Sequence, residues 1–286
     1  MKDKLKIGIS HGDVNGISYE VIIKTLKDNR INEICTPIIY GSPKVAAYHR
    51  KALNIEDFSP MGISSPEEAR GNKTYIINCV DENIRVELGK CTESAGIDSF
   101  RALKAATDAL EAGKIDALVT GPVNKQNIQH SDFNYSGHTE YLQARFQAEE
   151  VMMLMVSDLM KVGLVAAHVP ISSLSSMITT KLVLDKLKIL AGSLLVDFGI
   201  RNPHIAVLGL NPHAGDNGLL GSEEQEIITP AIEQAKAAGI TAMGPYAADG
   251  FFGAGRFRKF DAILAMYHDQ GLTPFKSLCM DCLLYT

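Results

Sequence analysis

The 286-residue sequence predicts an α/β protein on a mostly parallel sheet. Short aliphatic or β-branched runs alternate with longer stretches of helical period, the runs are continuously apolar, and glycines stand just past the last periodic residue of the longer stretches. Continuous apolar runs indicate strands covered on both faces, as in buried parallel sheets. Glycine just beyond a helix is the usual left-handed end.

In chain order, the first strand is 5–10, followed by a Gly12 to Gly16 loop and an amphipathic helix over 18–27. Further strands are expected at 37–40, 74–79, 117–120, 151–156, 162–167, 204–210 and 261–267. Helices are expected over 94–112, 179–198 and 222–238, closed by Gly113, Gly199 and Gly239. No Pro- or Ser-rich linker divides the chain, so two lobes would be joined through ordinary elements. The expected division is 1–120 with 241–286, and 121–240.

Apolar residues make up 46% and charged residues 21%, which excludes disordered, collagenous and coiled-coil classes. No apolar run nears the roughly 20 residues that span a bilayer. The lysines before Ile7 and Ile9 are followed by His11, Gly12 and Asp13, where a signal peptide needs an apolar stretch. A cytoplasmic, membrane-free protein is expected. The net charge of −5 and scattered cations point away from nucleic acid. Five cysteines, an odd number, fit a reducing compartment. Cys279 and Cys282 form a CxxC with no second ligand pair around it.

Ligands of open α/β sheets bind beyond the carboxyl ends of strands. Three of the eight histidines stand at such exits: His168, His213 and His268. Each alone reads as a structural or surface histidine. Together, three imidazoles describe a catalytic metal site with an open position, although their spacing matches no local metal motif. The loops beside them include LNPHAGDNGLLG over 210–221, GPVNK over 121–125, GHTEY over 137–141 and HDQGLTPFK over 268–276. The first is either a glycine-rich turn with an N-capping Ser222 or backbone approaching a ligand. Thr139 reads as a helix cap or a ligand contact. Lys276 suits a phosphate or carboxylate, or plain solvent. Neither GxGxxG, GxxxxGK[ST] nor GxSxG occurs, which argues against Rossmann dinucleotide sites, P-loop kinases and α/β hydrolases.

GPVNK, GHTEY, AHVP around His168, GLNPHAG around His213, GPYAAD over 244–249 and MYHDQGL around His268 occur in order. Together they resemble the 4-hydroxythreonine-4-phosphate dehydrogenase family of vitamin B6 biosynthesis, from about residue 5 to about residue 278. The resemblance implies an isocitrate/isopropylmalate-dehydrogenase-like fold with two α/β lobes around a cleft, and a homodimer formed through the 121–240 lobe. It implies a divalent ion (Zn, Mg or Co) on His168, His213 and His268, one of them from the partner subunit. Substrate contacts fall on His138, Thr139 and Lys276. The cofactor is NAD, with NADP as the alternative, bound without a Rossmann fingerprint. The implied reaction is oxidation and decarboxylation of 4-phosphooxy-L-threonine to 3-amino-2-oxopropyl phosphate. Threonate or erythronate 4-phosphate is the alternative substrate. Asp249 and Asp269 are candidates for the general base by their place in these motifs, and neither is assigned.

Two departures stand out. The family's GDPAGIGPE loop reads GDVNGISYE here, and after Lys276 the family continues for several dozen residues, including a substrate-binding asparagine and arginine. Here the chain reads SLCMDCLLYT and ends, with Tyr285 about where that asparagine is expected. The resemblance thus also leaves open a shortened, inactive family member. A metallohydrolase is a further alternative, disfavoured because no water-activating glutamate is evident beside the histidines.

Overall fold

The computed structural model describes residues 4–81 and 83–279. The chain forms two compact units, residues 1–148 and 149–286. Each carries a five-stranded sheet.

The first unit runs β1 (Leu5–Ser10), α1 (Ser18–Leu26), α2 (Ile31–Ile34), β2 (Cys35–Gly41), α3 (Pro43–Ala52), β3 (Met61–Gly62), β4 (Tyr75–Asn78), α4 (Glu93–Glu111), β5 (Ala117–Thr120) and α5 (His138–Arg145). Its strand order is β3-β4-β2-β1-β5, parallel throughout. Successive strand residues point to opposite faces, and β2 has a core on each. Ile39 joins Tyr19, Ile22 and Ile23 of α1 and Val45 of α3, while Ile38 and Tyr40 join Ala106 and Ala109 of α4. The Thr92 side chain accepts from the Ala95 amide and starts α4. Gly12 lets the exits of β1 and β5 touch: its φ is +67°, and a Cβ there would lie 2.4 Å from the Pro122 carbonyl oxygen.

The second unit runs β6 (Leu154–Val156), β7 (Lys161–Ala166), α6 (Leu174–Met177), α7 (Thr180–Val196), β8 (His204–Leu208), α8 (Thr229–Ala237), β9 (Thr241–Tyr246), α9 (Ala248–Gly253), β10 (Ala262–Tyr267) and α10 (His268–Cys279). The order is β6-β7-β10-β8-β9, with only the edge strand β6 antiparallel to its neighbour. β10 lies at the centre. Its Leu264 and Met266 pack with Val183 and Leu187 of α7 and Ile232 of α8, and its Ile263 and Ala265 with Phe251 of α9 and Phe275 of α10. Burying each of these side chains larger than alanine stabilises by about 1.5–3 kcal/mol, so both helical layers are held to this strand.

The α/β class with mostly parallel sheets is as the sequence predicts. The lobe boundaries differ: segment 241–286 was expected with 1–120, but β9 pairs with β8, and β10 with β7 and β8. Strand partners lie far apart in sequence, and no local pattern names them. The helix expected over 222–238 opens as a π-helical turn, Glu224–Ile228, before α8. Cys282 and Tyr285 lie outside the described residues. Among the described residues no helix is long and apolar enough to cross a membrane.

Candidate active site

The parallel register of β7 and β10 pairs Ala166 with Tyr267, so the two strands end together. His168 stands two residues beyond the first, and His268 directly follows the second as the first residue of α10. The pairing sets their imidazoles side by side, with ring centroids 5.7 Å apart and planes inclined by 43°. His268 Nδ1 donates to Asp269 Oδ1 at 2.7 Å. This bond leaves Nε2 as the nitrogen available to a ligand, as where a carboxylate orients a metal-binding histidine. Asp269 is therefore engaged in orienting His268, whereas Asp249 sits exposed in the first turn of α9.

Gln270 ties this edge together. Its Oε1 accepts from the Met266 amide at 2.7 Å, and its Nε2 donates to the Gly209 carbonyl at 2.6 Å. One side chain thus joins the end of β10 to the loop leaving β8. That loop carries His213 on an uncommon backbone: residues 213–217 have φ of +54°, +52°, +80°, +44° and +55°. Left-handed geometry costs an L-residue roughly 1–2 kcal/mol, so His213 and Ala214 hold it only because the surroundings impose it.

Two adjacent nitrogen donors, one aligned by a carboxylate, fit a divalent ion. His213 does not complete a set: among the described residues no group of three His, Cys, Asp or Glu side chains is placed to hold a metal. The structure thus brings two of the three expected ligands together and leaves the third in the loop beyond the neighbouring strand.

In the first unit, GHTEY begins α5. Gly137 is the N-cap, so Thr139 is not the cap but an exposed residue of the first turn. α5 is fixed by Tyr141, which packs edge-on against Phe100 and Tyr135, and by Arg145, which pairs with Asp108 at 2.7 Å and with Glu111. His138 Nε2 is buried without a hydrogen-bond partner. Burial foremost, and then the Lys125 charge, lowers its pKa below the ordinary histidine value. The Lys125 charge acting on this imidazole brings the GPVNK and GHTEY motifs together. Lys276 is exposed in the last turn of α10. Eight residues of helix set it about 12 Å along the axis from His268.

Gln270 and Glu224, which is buried beneath the His213 loop, escaped the sequence reading. Glu224 shows in sequence only as an ordinary acidic residue at a helix start.

The family model for "Pyridoxal phosphate biosynthetic protein PdxA" matches residues 33–282. The chain belongs to this family. A 4-hydroxythreonine-4-phosphate dehydrogenase of Bacteroides thetaiotaomicron is 49% identical over 282 residues, covering 98% of this chain and 77% of that protein. A protein of Oceanobacillus iheyensis, provisionally named D-threonate 4-phosphate dehydrogenase, is 38% identical over 285 residues, covering 98% and 85%. Among solved structures, a 4-hydroxythreonine-4-phosphate dehydrogenase from Burkholderia phymatum superposes with a TM-score of 0.83 at 33% identity, covering 96% of this chain and 84% of that one. Membership of the PdxA family makes the chain an oxidoreductase of the isocitrate/isopropylmalate-dehydrogenase-like α/β class.

Proposed function

We propose that this chain oxidises the secondary alcohol of 4-phosphooxy-L-threonine and releases carbon dioxide from the resulting β-keto acid, leaving 3-amino-2-oxopropyl phosphate. The observation that carries this reading is the His168–His268 pair with Asp269 behind it, in a chain of the PdxA family. His168 and His268, with His213, would hold one divalent ion, and a homodimer in which one histidine comes from a second copy agrees with only two meeting here. When bound, the ion would favour ionisation of the substrate hydroxyl and stabilise negative charge on that oxygen, while NAD would accept the hydride. No strand-to-helix turn carries a glycine-rich dinucleotide fingerprint, so NAD contacts are assigned to no residue.

The chain's own residues have narrower tasks. Asp269 holds the His268 ring in one orientation. His138, kept neutral by burial, and Thr139 offer hydrogen bonds to substrate, and Lys276 offers a charge to phosphate or carboxylate. A second reading, action on D-threonate 4-phosphate, is favoured by the Oceanobacillus relative. The same cation and phosphate contacts would serve it.

The test is NADH formation with 4-phosphooxy-L-threonine, D-threonate 4-phosphate and D-erythronate 4-phosphate, each with and without a chelator. Fastest turnover on the first, abolished by chelation and restored by a divalent ion, supports the proposal. Faster turnover on a threonate or erythronate phosphate replaces the substrate. Product without NAD, or chelator-insensitive turnover, overturns the mechanism.

A further inference from the structure

Resting on the reading of His213 as a ligand of the ion, we propose that Glu224 is the positioning residue that aims His213. Glu224 is 2% exposed and lies directly beneath the loop. Its Oε1 accepts from both the Leu210 and the Asn211 amides at 2.7 Å, and its Oε2 accepts from Asn211 Nδ2 at 3.0 Å. Asn211 Nδ2 also donates to Glu223 Oε2 at 2.7 Å. One side chain thus holds Leu210 and Asn211, the second and third residues past β8 and the two immediately before Pro212 and His213.

The loop is moulded to this carboxylate. A Cβ on Gly215 would lie 2.6 Å from Glu224 Oε2, and one on Gly209 would lie 3.0 Å from Oε1, so glycine stands where the side chain meets the backbone. Residues 213–217 are all left-handed and join no strand ladder, so their placement depends on such outside anchors. Glu224 also opens the π-helical turn Glu224–Ile228, an irregularity common at functional sites. An ordinary helix-starting glutamate would bond the first amides of its own helix. This one reaches back 13 and 14 residues to the loop instead.

The test uses the full chain with E224Q, E224A and H213A. Hydrogen exchange is read over 209–218 and over β7, β8 and β10, and Co2+ affinity is read by titration of the cobalt absorption. Gln keeps one acceptor but turns an NH2 group toward Asn211, so a graded series is expected. Exchange over 209–218 should rise from wild type through E224Q to E224A while the strands stay protected. Co2+ affinity should fall about 10–100-fold, the usual effect of losing a group that orients a metal ligand. Unchanged exchange over 209–218 overturns the proposal, as does a rise spread evenly over the strands. So does faster loop exchange with unaltered Co2+ affinity, where H213A does weaken Co2+. If H213A leaves Co2+ binding intact, the metal reading fails, and the exchange data alone decide whether Glu224 sets the His213 loop. Should E224A not fold, E224Q decides.

Discussion

His168 and His268 face each other across 5.7 Å at the carboxyl ends of two hydrogen-bonded parallel strands, and His268 is held from behind by Asp269. Strand pairing brings them there: β10 lies between β7 and β8, so residues more than 90 positions apart become neighbours once Ala166 and Tyr267 are in register. Asp269 orients a ring that is itself half-exposed. Asp269→Asn is expected to leave Tm within about 1 °C, because the pair contributes little at the surface. Zn2+ or Co2+ affinity should fall about 10–100-fold. Titration calorimetry checks this, and unchanged affinity would remove Asp269 from the site.

His138 is expected to be neutral at pH 7, because burial lowers its pKa and Lys125 adds a smaller push in the same direction. Lys125→Met should raise the midpoint only partly, leaving it below the ordinary histidine value of 6.5, since burial is unaffected. NMR titration of the ring Cε1–H reports both midpoints. A wild-type midpoint at or above that ordinary value would refute the assignment of burial as the cause.

Much of this was readable from residues. Continuous apolar runs located most strands, and the polar residues just beyond them marked His168, His213 and His268. What escaped was non-local. Nothing near Ala262–Tyr267 says that it pairs with β7 rather than with a first-unit strand. β9 carries no clear strand pattern in the sequence, because Gly244 and Pro245 interrupt its period. Glu224 and Gln270 acquire meaning through bonds to residues 13 to 61 positions away.

The GDVNGISYE loop turns out to be a clip. Asn15, where the family usually has alanine, donates Nδ2 to the Lys90 carbonyl at 3.0 Å and to Thr92 Oγ1 at 2.9 Å, and its Oδ1 accepts from the Glu87 amide at 2.7 Å. Asn15→Ala therefore strands one amide donor and two partners of the side-chain NH2. A loss of about 2 kcal/mol in urea unfolding is expected, with hydrogen exchange over 87–92 accelerated. A loss under about 0.5 kcal/mol would mean that water replaces all three bonds.

Stability of the first unit should decline in mild acid because of His11. Its ring is fully buried, its Nε2 lies 3.2 Å from the Asp98 carbonyl, and its Nδ1 has no partner. Tyr19 packs on it edge-on at 5.3 Å. Burial outweighs the Asp98 bond, His49 adds a little, and the pKa drops to about 4. The sign follows from linkage. Above the unfolded value near 6.5 neither state holds the proton, and below it the unfolded chain takes one up while the folded chain does not. Stability is thus fully present above about pH 6.5 and declines as pH falls toward 4, by roughly 3 kcal/mol in all. His49, whose pKa burial also lowers, adds to the same slope. His11→Phe removes the titrating ring and leaves the Asp98 carbonyl without this donor, so it should be less stable at pH 7 yet lose less between pH 7 and about 4.5. Urea unfolding of both forms at the two pH values, followed by hydrogen exchange in β1 and α1, makes the comparison. An equal loss in wild type and variant would show that His11 does not govern the acid response.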